Sequence, residues 1–188
     1  MIPAVLHSKE DIQGRLRSAA KLIATREAPT IAAPVLVGAF VFAADLIRAL
    51  AEEGLHLETE MIWLRSYGDN RAGSALKILA PPTSRVEGCH VLLIDGVLDK
   101  GTTLMKASQL LMEAGARSVT TAVAVDKRRD DALLTADYAL YTGIQEFIVG
   151  YGMDDAGRYR ALPYIGRADL AEIPIDLQAN GHLASMGY

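Results

Sequence analysis

The chain has 188 residues, 51% of them hydrophobic and 22% charged, which excludes a disordered or collagen-like polymer and suffices for one ordinary domain with its own core. A net charge of −4 argues against bulk nucleic-acid binding, and no apolar run reaches the length needed to cross a bilayer. The opening MIPAVLHSKEDIQ lacks the basic-then-apolar order of a secretory signal, so the expectation is a soluble, cytoplasmic domain over residues 1–188 with no nucleic-acid or membrane partner.

The lone Cys89 excludes an internal disulfide and a Cys-rich zinc site; His7, His56, His90 and His182 show no short ligand spacing. Strand-like and helix-like segments alternate, the pattern of a parallel α/β sheet. A first helix is predicted from Ser8, a good N-cap, with Glu10 and Asp11 in its first turn and Ile12, Leu16, Ala19 and Ile23 along one face. Pro29 and Pro34 read as chain breaks before a short buried strand, Val35-Leu36-Val37, that ends at Gly38. A second helix is predicted from about Phe40 to Glu53, stopped by Gly54. Met61 to Leu64 reads as a strand and Asp69 to Ser74 as a polar mobile loop. His90 to Asp95 is a buried strand, Gly96 to Gly101 a turn, Thr102 to Ala114 a helix and Ser118 to Val125 the next strand, a βαβ unit of the usual size. Shorter strands are expected at Ala136–Tyr141 and Glu146–Val149; beyond Pro163 the pattern fades, and the tail from about Pro174 reads as peripheral.

The chemistry concentrates in VLLIDGVLDKGTTL, Val91 to Leu104. A buried strand ends in Asp95, a second carboxylate follows at Asp99, and Gly101-Thr102-Thr103 opens a helix. Ligands of open α/β sheets bind beyond the carboxyl ends of strands, and a helix start offers free N–H groups and a positive dipole end to phosphate. Gly101 permits close backbone approach, and the two threonines add hydroxyl donors. On these residues alone, an ordinary acidic turn with a Thr N-cap stays open.

The same segment resembles the phosphoribosyl-pyrophosphate (PRPP) motif of type I phosphoribosyltransferases. Other segments resemble the hypoxanthine-guanine branch in order along the chain: LVGAFVFAADLIR (Leu36–Arg48) its pyrophosphate loop and helix, Ser66-Tyr67-Gly68 the start of its mobile catalytic loop, Asp126-Lys127-Arg128-Arg129 its basic strand end, and EFIVGYGMDDAGRYR (Glu146–Arg160) its purine-site strand and loop. The resemblance implies a central parallel sheet flanked by helices, with a small hood built from the N-terminal segment and the region after about Val149. It implies transfer of a 5-phosphoribosyl group from PRPP to hypoxanthine or guanine, with Mg2+, in a homodimer or homotetramer. By resemblance, Asp99 moves the proton of a purine imidazole nitrogen. Asp95 contacts the ribose hydroxyls, and Lys100, Gly101, Thr102 and Thr103 form the 5′-phosphate loop. Val37, Gly38, Ser66, Tyr67 and Arg160 serve PRPP. Lys127 donates to the purine 6-oxo group, Phe147 stacks on the base, the backbone of Ile148 reads its edge, and Asp154 is linked to magnesium.

Three positions depart from the family pattern. Gly96 stands where a second acidic residue is expected, Lys100 where a threonine is usual, and Val37 where a lysine is frequent, in a loop that commonly carries a non-proline cis peptide in the family; whether the Val37-Gly38 bond is cis stays open. These departures sit on the PRPP side, which raises an alternative: a non-catalytic or weakly active purine- or nucleotide-binding regulatory paralogue. On this view the missing acid at Gly96 weakens PRPP binding, and Gly96→Asp restores the contact if the backbone is compatible.

Overall fold

The computed structural model describes residues 2–66 and 76–168, the side chain of Ser66 excepted. Strand β1 (Ala4–His7), helix α1 (Lys9–Arg26), strand β2 (Ile31–Leu36), helix α2 (Phe40–Glu52), and strands β3 (Glu58–Thr59), β4 (Ile62–Ser66) and β5 (Leu76–Ala80) come first. Strand β6 (His90–Leu98), helix α3 (Thr102–Glu113), and strands β7 (Ser118–Asp126), β8 (Tyr138–Thr142), β9 (Ile148–Val149) and β10 (Ile165–Arg167) follow. The main sheet runs β5-β4-β2-β6-β7-β8, with β3 also against β2. Its pairs are parallel except β4–β5.

Alternation along β6 shows why both faces are covered. Val91 and Leu93 pack with Leu104, Ala107 and Leu111 of α3. Leu92 and Ile94 pack with Ile12, Leu16 and Ile23 of α1 and Phe42, Leu46 and Leu50 of α2. A period-two strand thus feeds two cores, and its unbroken apolar run is what a strand buried on both faces requires. Ser8 caps α1 through its Oγ, which accepts from Asp11 N at 3.2 Å. No described helix is long and apolar enough to cross a membrane.

A second, three-stranded antiparallel sheet, β1-β10-β9, forms the hood from the N-terminal segment and the region around and beyond Val149. His7 stacks on Tyr141 of β8 at 3.6 Å, Tyr141 donates to Asp11 at 2.7 Å, and Tyr151 donates to Asp45 of α2 at 2.9 Å. The His7 and Tyr151 contacts dock the hood on β8 and α2, and the Tyr141–Asp11 bond joins β8 to α1 beside them.

The structure departs from the sequence reading at several points. Pro34 is not a break; it lies inside β2, paired with Ile94. Ala32 accepts from Glu60 N, and residues two apart address the same flank, so the missing N–H of Pro34 faces the flank where the chain passes from β3 to β4 and no pairing is made. Strand β6 continues through Gly96 to Leu98, because Val97 and Leu98 stay in register with Val125 and Asp126; only Asp99 to Gly101 is left as the turn. Strands β1, β5 and β10 carry short, half-exposed sequences with no clean alternation and were not expected as strands. The Asp69–Ser74 loop and the tail from Pro174 lie outside the described residues.

Asp126, at the end of β7, is fully buried. Its carboxylate accepts from Arg128 N at 2.9 Å and Ala136 N at 3.2 Å and pairs with Arg128 Nε at 3.0 Å, so it holds the loop that carries Lys127. Asp126→Ala leaves two backbone donors without their acceptor and should cost about 2–4 kcal/mol in urea unfolding, with Asp126→Asn losing less.

Candidate active site

The chain runs outward from β2 to β3, β4 and β5 on one side, then returns to β6 and proceeds through β7 and β8 on the other. The order reverses between β2 and β6, and the crevice beyond their carboxyl ends is where an open α/β sheet binds ligands. Beyond β2 lies the turn of Val37 and Gly38 into α2; beyond β6 lies Asp99-Lys100-Gly101 into α3.

A cleft of about 210 Å3 opens there, lined by Gly38, Asp95, Gly96, Val97, Asp99, Lys127, Phe147, Ile148, Met153, Asp154 and Arg160. Pockets that enclose a drug-sized ligand run to about 300–1,000 Å3, so this one takes a group of base size and leaves the rest of a larger ligand over the loops. It brings Asp95, Asp99, Gly38, Arg160, Lys127, Phe147, Ile148 and Asp154 together. Thr102 and Thr103 form the first turn of α3, and Gly101 is its N-cap at φ 84° with no side-chain capping bond. The N-cap is therefore the glycine and not a threonine, and the early N–H groups of α3 have no side-chain acceptor of their own. Val37 is 42% exposed and points no charge at the cleft. The loop carries a non-proline cis peptide at Leu36–Val37, and the Val37–Gly38 bond is not cis. Ser66 ends β4, and Tyr67 lies outside the described residues.

The polar groups are partly paired. Lys127 Nζ donates to the Glu146 carbonyl at 3.1 Å. Asp154 Oδ2 accepts from Gly157 N at 2.7 Å, and its Oδ1 pairs with Arg160, which also donates to the Gly152 carbonyl at 2.7 Å. Asp99 pairs with Arg129 Nε at 3.3 Å. Lys100 does not turn to the helix start; its Nζ lies 3.7 Å from Asp131. Desolvation pushes the Asp95 carboxyl up to about 7, opposed by the bond it accepts from Gly96 N at 2.7 Å. Among the described residues no three His, Cys, Asp or Glu side chains converge as a metal cage.

The family described as the phosphoribosyl transferase domain matches residues 5–156. The hypoxanthine-guanine phosphoribosyltransferase of Bacillus subtilis is 34% identical over 171 residues, covering 88% of this chain and 92% of that protein. Its namesake from Staphylococcus epidermidis is 34% identical over 166 residues, 86% of this chain and 91% of the relative. The chain belongs to the hypoxanthine-guanine phosphoribosyltransferase family. Among solved structures, the Trypanosoma cruzi hypoxanthine phosphoribosyltransferase in complex with the product IMP superposes with a TM-score of 0.79 at 30% identity, covering 88% of this chain and 94% of the other.

Within this phosphoribosyltransferase fold, Gly96 has a local explanation. A Cβ built there would lie 2.8 Å from the Gly38 carbonyl oxygen and 3.3 Å from its carbon. Gly96 is not in the left-handed region, so the backbone angle is not the obstacle; the space is. The expectation that Gly96→Asp restores a contact is corrected accordingly. Sequence reasoning also passed over Gly152, Met153 and Asp126. Glycines at 150 and 152 around Tyr151, and one carboxylate ending the apolar run of β7, were the available signals.

Gly96→Asp should lower stability by about 1–3 kcal/mol, read as a fall in the melting temperature, because the Gly38 backbone must move. A second outcome concerns pH. Asp95 has its folded pKa raised from 3.8 to about 7, so its contribution to stability is complete below about 3.8 and is lost as pH rises through about 7. Thermal melts of the ligand-free protein between pH 5 and 8 should show this decline, and Asp95→Asn should flatten it.

Proposed function

We propose that this enzyme transfers the 5-phosphoribosyl group of PRPP to N9 of hypoxanthine or guanine. The purine nitrogen forms the new bond to ribose C1, the C1–oxygen bond breaks, and pyrophosphate leaves with the electron pair. The observation that carries the reading is the meeting, at one switch point, of an uncapped helix start suited to phosphate with a cleft bearing Lys127, Phe147 and Asp99. The relatives' names and the IMP complex of the Trypanosoma cruzi enzyme support it.

The residue roles follow from the chemistry available. Asp99 accepts the proton that the purine imidazole ring sheds as N9 attacks. Lys127 already donates to a carbonyl oxygen, that of Glu146, and a 6-oxo group takes the same donor; the 6-amino group of adenine is itself a donor and is disfavoured. Phe147, 38% exposed at the cleft, offers its ring face to the base, with the Ile148 backbone along the purine edge. The N–H groups at Gly101, Thr102 and Thr103, with both hydroxyls, receive the 5′-phosphate. Asp95 faces the ribose hydroxyls, and Gly38 with Arg160 the pyrophosphate.

Magnesium suits this donor set. It binds through one or two carboxylates and substrate phosphates and keeps several waters, and Asp154 supplies one carboxylate beside Arg160. Its chemistry is to neutralise charge on the departing pyrophosphate. An assembly of two or four copies in the cytoplasm completes the reading. The relatives, named as transferring enzymes, lend no support to the regulatory alternative.

Asp99→Ala should lower turnover by about 10²–10⁴-fold while leaving affinity for the nucleotide product largely in place. Steady-state rates with hypoxanthine and PRPP, beside a calorimetric titration of the monophosphate, measure both; wild-type turnover in the variant overturns the assignment.

A further inference from the structure

Asp99 is about half exposed, on a turn, at the end of a two-bond side chain, so nothing in its own packing fixes the direction of its carboxylate. The charged group that faces it is Arg129, whose Nε lies 3.3 Å from Asp99 Oδ1 as an ion pair. Arg129 is itself held by a two-point contact with Asp131: Nε to Oδ1 at 2.7 Å and a second guanidinium nitrogen to Oδ2 at 3.2 Å. The bond to Asp131, and then the field of Asp99, press the guanidinium further into its charged state. The far side of Asp131 meets Lys100 Nζ at 3.7 Å. The loop bearing these groups is tied to the phosphate turn by backbone, since Leu133 N donates to the Lys100 carbonyl at 2.9 Å. Neither Arg129 nor Asp131 lines the cleft.

We propose that Arg129 is a positioning residue for the reaction. Clamped by Asp131, it holds the Asp99 carboxylate toward the purine imidazole edge and thereby sets the rate of the proton-coupled step without touching substrate. The proposal rests on the reading of Asp99 given above. A planar guanidinium gripped at two points keeps its direction as a flexible ammonium does not. The Asp99–Arg129 pair is solvent-exposed, so its effect is modest, about fivefold in rate.

The experiment is a double-mutant cycle on the single-turnover rate of IMP formation from hypoxanthine and magnesium-PRPP, with Arg129→Gln made in the wild type and in Asp99→Asn. Arg129→Gln is expected to slow the step about fivefold, with the KM for PRPP and the melting temperature unchanged, and to have no effect in Asp99→Asn. A wild-type rate in Arg129→Gln, or the same slowing in both backgrounds, overturns the proposal. A wild-type rate in Asp99→Asn alone overturns the reading of Asp99 itself, which is a separate failure.

Discussion

The carbonyl of Gly38 is wedged between two glycines from distant parts of the chain. A Cβ on Gly96 would stand 2.8 Å from its oxygen, and one on Gly152 would stand 2.5 Å away. Three segments therefore meet without side chains between them: the loop after β2, the C-terminal part of β6, and the hood loop. This backbone contact sets how closely the three segments approach at the cleft. Gly152 has φ 98° as well, so it is fixed twice over. Gly96 is fixed by space alone.

The hood loop depends on the same contact. Gly152 N donates to the Arg160 carbonyl at 3.0 Å, and Arg160 returns a bond from its side chain to the Gly152 carbonyl. Arg160 then reaches Asp154, whose other oxygen accepts from Gly157 N. Asp154 and Arg160 thus enter the cleft as a pair whose charges offset each other. Within this pair each charge has the other as its partner, which offsets the cost of holding both at a partly buried position.

The elements legible in the sequence were those with one dominant physical signal. The unbroken apolar run of β6, the helical spacing of α1 and α3, and the Ser8 cap needed no tertiary information. Where tertiary contacts decide, local reading failed. Pro34 is tolerated in a central strand only because its partner flank is interrupted there, and β6 outruns Asp95 only because β7 continues beside it. The site shows the same division. Asp95 and Asp99 were legible from motif chemistry, Lys127 and Phe147 only from the family resemblance, and the structure gathers all four, whereas the steric role of Gly96 needed the position of Gly38, a residue 58 places earlier by the chain numbering.

Lys100 illustrates how a departure is absorbed. A threonine there would present a short hydroxyl beside the phosphate turn; the lysine instead sends its ammonium outward to Asp131, 3.7 Å away and well exposed. An exposed pair of that length is worth about 0–1 kcal/mol. The phosphate turn keeps its left-handed Gly101, its unclaimed helix N–H groups and the hydroxyls of Thr102 and Thr103, none of which depends on the side chain at position 100. Because its ammonium is directed away to Asp131, the lysine adds a long, weakly held cation at the rim of the turn without entering the helix start.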